Sequence, residues 1–252
     1  MGIPIILSFS TCFIFAIAAI FVWWLSVRKN KNDHNFDFFG WSWFCAAGIV
    51  GFMGLRTLFF GLGFVIWDLV FALVDQIFLV AFLVVTSYYV FNKFWPNRKL
   101  SVHITRFFIL PLSLLVLVFI FLFMWQFTAT INPTEIDDVR AEIIEQRQVS
   151  DWGSEFVTPA IAMYIVTAIM SLLLLLLSFD LIRNLLKNKE KIDWFGLLTT
   201  LSLIIFLIVL ALDQRGTDAG WKLLLYRLIG MAGAMLAYLA ISAKFNKRLY
   251  NN

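Results

Sequence analysis

Histidine, cysteine and charged residues are scarce in this chain. Its 252 residues include two cysteines and two histidines, and charged side chains make up 14% of the total. Cys12 and Cys45 fall on different apolar runs at different depths, so their spacing suits neither a disulfide nor a thiolate zinc site. They read as small apolar core thiols. His34 and His103 lie in or beside loops, which excludes a bis-histidine haem within a bundle and an H-E-x-x-H metal site. No G-x-S-x-G elbow and no phosphate-cradling glycine loop occurs. The expectation is a protein that is not an enzyme and uses no cofactor or metal. A net charge of +4 and a pI near 9.1 do not point to nucleic acid, because the basic residues sit in short loops beside apolar runs.

Apolar surface is what the chain has in excess. Hydrophobic residues reach 62% and the mean hydropathy is +0.88, against roughly 45–50% apolar and about 25% charged residues in soluble domains. A hydrocarbon core of ~30 Å needs about 20 apolar residues in helix, whereas a membrane barrel would show ~10-residue alternating segments. The runs here have the helical length. The expected fold is an all-α integral membrane protein, a seven-transmembrane-helix bundle in the lipid bilayer. The spans are expected at Pro4–Val27, Gly40–Gly63, Val65–Phe91, Arg106–Gln126, Phe156–Ile182, Trp194–Leu212 and Trp221–Ala243. The first run lacks a basic leader and an A-x-A-like exit, so it is expected to be retained rather than cleaved.

Lys and Arg are retained on the cytoplasmic side of short loops. Segments 28–39, 93–106, 183–193 and 244–252 hold fourteen of them, and the alternate connections hold four. The N-terminus is therefore expected outside and the C-terminus in the cytoplasm. Phe-rich spans and Lys/Asn-rich loops suggest the cell (plasma or inner) membrane of a prokaryote. Residues 128–155 form the long outer loop, which is acidic. Thr134 with Asp137, followed by Ile136, Val139 and Ile143 on one face, predicts a short amphipathic helix there, ended by Gly153.

Several short matches return in order along the chain. Asp37-Phe38-Phe39-Gly40 corresponds to Asp193-Trp194-Phe195-Gly196, Phe91-Asn92-Lys93 to Phe245-Asn246-Lys247, Trp67 to Trp221, and Lys29-Asn30-Lys31 to Lys187-Asn188-Lys189. They predict a 3+1+3 parallel pseudo-repeat within a single domain covering 1–252. Residues 1–95 form a first triple-helix unit, 96–127 a linker helix, and 156–252 a second triple-helix unit beyond the outer loop. As topology this resembles the plan of the PQ-loop and SWEET-type carriers, and more distantly the seven-helix rhodopsin-like plan. No Pro-Gln dipeptide is present, so no functional residue transfers from those carriers. Every Lys lies in a loop or at a helix end, which excludes a retinal Schiff base deep in the seventh span. Parallel repeats of this kind place a binding site at the repeat interface.

Ionisable residues inside the spans are the remaining signal, since each costs about 2.5–3.5 kcal/mol on insertion scales and needs a partner or a watery cavity. Arg56 lies roughly 10 Å below the outer boundary, Asp75 roughly 15 Å and Asp68 about 5 Å, at ~1.5 Å per residue. Asp68 and Asp75 share one helical stripe, either is within reach of Arg56, and Asp75 is the expected partner. Arg227, Asp213 and Lys222 belong to the same outer half, with Tyr164, Tyr226 and Gln76 as further hydrogen-bonding groups. Asp180, close to Arg183 near the inner end of its span, reads as an interfacial ion pair. The cluster Arg56, Asp68, Asp75, Gln76, Asp213, Tyr226 and Arg227 points to a polar pocket open to the outside. It would bind, and by extension transport, a small polar or zwitterionic ligand. The alternative is a receptor-like or structural subunit in which the same charges lock helices, acting through a partner membrane protein or a homo-oligomer.

Overall fold

In a computed structural model the chain is helical, and its described residues include seven helices long and apolar enough to cross a membrane. The structure describes residues 3–29, 34–95, 98–129, 147–150, 153–156, 159–187, 193–213 and 221–249. Helix α1 is Ile3–Lys29, α2 His34–Gly61 and α3 Val65–Phe94. Helix α4 is composite: α-helical over Arg98–Ile104, a π turn over Thr105–Ile109, and α-helical again over Leu110–Ala129. Helices α5, α6 and α7 are Ala160–Lys187, Trp194–Asp213 and Trp221–Leu249. Helices are the form in which each segment satisfies its own backbone in lipid. The seven spans make this a multi-pass membrane protein.

The helices close into a ring. Helix α1 packs on α2, α2 on α3, α3 on α4 and α5, α4 on α5, α5 on α6, α6 on α7, and α7 returns to α1. At its centre, Phe206 of α6 reaches three helices at once, with ring centroids 5.9 Å from Phe15, 5.7 Å from Trp43 and 5.0 Å from Phe82. All four rings are buried. Large apolar side chains such as Phe107, Phe108, Leu175 and Ile66 point away from the bundle, toward the space that lipid fills.

Two expectations are corrected here. The fourth span begins near Lys99 rather than Arg106, so the basic segment 93–106 is mostly helix and not loop. Pro111 accounts for the bulge that goes with this shift. It has no N–H, and its ring crowds the carbonyl four residues earlier. The preceding turn widens, and Leu110 N–H bonds the carbonyl of Thr105, five residues back. Secondly, residues 147–150 are strand, where the amphipathic helix was expected to continue toward Gly153. Strand β1 (Arg147–Ser150) pairs antiparallel with β2 (Gly153–Phe156), Arg147 opposite Phe156, and β2 packs against α2. The start of the expected helix, from Thr134, lies outside the described residues.

A tight turn links α2 to α3. Gly63 has φ +83°, Gly63 N–H donates to Phe60 O at 3.0 Å, and Phe64 N–H to Phe59 O at 2.9 Å. This is a Schellman ending with glycine in the left-handed position, and the Phe59 and Phe64 rings pack beside it, 6.1 Å apart. The turn brings the last part of α2 directly against the first part of α3.

Candidate functional site

Arg56 near the end of α2 is held by two carboxylates of α3. Its Nε donates to Asp68 Oδ1 at 3.3 Å and its Nη1 to Asp75 Oδ2 at 2.9 Å. Gln76 Nε2 donates to Asp75 Oδ1 at 3.0 Å. The exposures are 9% for Arg56, 0% for Asp68 and 2% for Asp75, so the triad faces the protein interior. Asp68, Ala72, Asp75 and Leu79 form one buried stripe of α3, the spacing that aligns residues on a helix face. Asp68 also lies in the first turn of α3, where the helix dipole favours an anion. Further along the same helix pair, Thr86 donates to Ser42 at 3.1 Å.

Arg227 does not join that triad. It enters the bundle from α7 and meets α1, its Nη1 donating to the Ser8 carbonyl at 3.0 Å and to the Ser8 hydroxyl. Arg227 is 6% exposed and Ser8 is fully buried, and Arg227 Nε has no hydrogen-bond partner among the described residues. Tyr226 is half-buried and Lys222 exposed. Asp213 ends α6, and its side chain lies outside the described residues. Tyr164 points away from the bundle at 70% exposure, because the inward stripe of α5 runs through Ala162, Val166, Ile169, Leu173 and Leu177.

A second polar cluster sits at the opposite end of the bundle. Lys93 Nζ of α3 lies 2.5 Å from Asp180 Oδ2 of α5 and 2.6 Å from Thr200 Oγ1 of α6. Thr200 donates to Asp180 at 3.0 Å, and Asn184 Nδ2 to Asp180 at 3.3 Å. Tyr89 OH reaches Thr199 Oγ1 at 3.4 Å. Asp180 therefore pairs across the bundle with Lys93, not along its own helix with Arg183. Asp180 continues the buried stripe of α5, three residues past Leu177, and that register is the signal that could have found it. The leucine run of α5 hides the stripe, since its outward face is equally apolar.

No family model matches the chain, and comparison with curated proteins and with solved structures gives no match.

Proposed function

We propose that this chain is a membrane carrier or binding protein for a small polar or zwitterionic ligand that enters from the side of the Gly61–Gly63 turn. The observation that carries this reading is the sharing of Arg56 by Asp68 and Asp75 inside two apolar spans. A lock between α2 and α3 needs no ions, because apolar side chains of similar volume hold helices as well or better. Ionisable groups at this depth are retained chiefly where they serve a ligand, ion or proton path. The two carboxylates suit the ammonium end of a zwitterion, and Arg56 and Arg227 suit its acidic end.

The topology is read as N-terminus outside and C-terminus in the cytoplasm of a cell membrane, from the distribution of Lys and Arg. A 3+1+3 arrangement is supported by one packing feature. A Cβ at Gly40 would lie 2.7 Å from Ser26 of α1, and one at Gly196 would lie 3.9 Å from Asn184 of α5, beyond the nearer Asp193. Ser26 and Asn184 each stand three residues before the Lys that opens a Lys-Asn-Lys match.

Native mass spectrometry of protein extracted gently from its own cells tests the reading. A bound small molecule that disappears in Arg56→Ala or Asp75→Asn is expected, followed by flux of that molecule into sealed vesicles holding this chain alone. A second reading, a receptor-like or structural subunit, is favoured by the mutual hydrogen bonds of the triad, which tie α2 to α3. It predicts a stoichiometric partner that survives mild detergent, no bound small molecule and no flux.

A further inference from the structure

We infer that Arg227 is an anion-binding site at the α1–α7 interface, receiving the carboxylate or phosphate group of the ligand. The assignment rests on the ligand-binding reading above and names the group that takes the ligand's acidic end. Three basic side chains are drawn into the described bundle, and they differ in what they meet. Arg56 holds two carboxylates and Lys93 holds Asp180. Arg227, among the described residues, meets only the neutral oxygens of Ser8.

Arg227 is 6% exposed, and its Nε is buried and, among the described residues, unpartnered. The edge bearing Nε is the one that forks a carboxylate or phosphate through two parallel N–H bonds. The Ser8 carbonyl on the Nη1 side already accepts from the Thr11 hydroxyl at 3.0 Å, which makes it a shared and weaker acceptor. A charged oxyanion outcompetes such neutral oxygens, because it adds to its hydrogen bonds a Coulomb attraction to the guanidinium that they lack. One turn deeper, a Cβ at Gly230 would lie 2.5 Å from Phe15, so α1 and α7 are in close contact there, and the approach we assign to an anion is from the end nearer the N-terminus of α1.

The test is thermal unfolding of the purified full chain in neutral detergent, titrated with sodium acetate or inorganic phosphate against sodium chloride at equal ionic strength. A third arm adds a short-chain phosphatidylglycerol, which separates a lipid headgroup from a free oxyanion as the source. The expected result is a saturable rise in melting temperature with at least one of the three that chloride does not reproduce. Its midpoint shifts at least tenfold to weaker binding in Arg227→Gln. Arg227→Lys, which retains the charge and loses the fork, is also expected to bind at least tenfold more weakly. Ser8→Ala leaves the guanidinium and removes the hydroxyl, one of its two neutral competitors, so it is expected to bind as well as the parent or more tightly. No saturable response in the parent and in Ser8→Ala, or an equal response in Arg227→Lys, overturns the site. An anion response without any ligand found by native mass spectrometry leaves this site standing and removes the carrier reading. A ligand lost in Asp75→Asn with no anion response does the reverse.

Discussion

Arg56 Nη1 lies 2.9 Å from Asp75 Oδ2, while its Nε reaches Asp68 at 3.3 Å, so one guanidinium bridges two carboxylates seven residues apart on α3. Removing the shared partner leaves two buried carboxylates, whereas removing either acid leaves Arg56 one. Arg56→Ala is therefore expected to destabilise by about 3–5 kcal/mol, and Asp75→Asn by clearly less. Unfolding in detergent compares them, and equal losses would show that Asp68 contributes nothing to holding Arg56.

The inner cluster predicts a rescue. Asp180→Ala and Lys93→Ala should each cost about 1.5–3 kcal/mol, the range for hydrogen bonds to charged groups. The exchange Lys93→Asp with Asp180→Lys should recover most of the loss. Additive losses in the double variant would show that the pair does not couple α3 to α5.

Gly63 is expected to resist substitution for a backbone reason alone. A Cβ there would meet nothing within 4 Å, yet φ is +83°. Gly63→Ala should cost about 1–2 kcal/mol, and Gly63→Asn distinctly less. An alanine variant as stable as the parent would mean that the turn adopts another conformation.

At Gly48 the reason is steric instead. An added Cβ would lie only 2.2–2.5 Å from three ring carbons of Phe78 on α3. Gly48→Ala should cost about 1–3 kcal/mol, and Phe78→Leu in the same chain should return part of it. Strict additivity of the two changes would show that α2 and α3 do not approach each other at this point.

Pro111→Ala restores the missing N–H and removes the cause of the π turn. Helix α4 should then relax to α-helix, rotating residues 98–104 by about 100° against the rest. Ser101, buried in this structure, is the position to follow. A Ser101→Cys reporter that stays protected from thiol reagents in both backgrounds would mean that packing, not Pro111, sets the bulge.

Hydropathy alone marked the seven runs long and apolar enough to cross a membrane, because a helix must supply about 20 apolar residues for each crossing. It also placed Arg56 within reach of Asp68 and Asp75. A turn as short as Gly61-Leu62-Gly63 makes the ends of α2 and α3 neighbours whatever the rest of the fold does. The rotation of each helix about its axis was not legible. Lipid and the protein interior are both apolar, so a leucine facing either reads the same. The tertiary structure decided that Tyr164 points outward and Asp180 inward, that Lys93 crosses to α5, and that Arg227 meets Ser8 of α1. These partners lie far apart in sequence, and only the closure of the ring sets which faces meet.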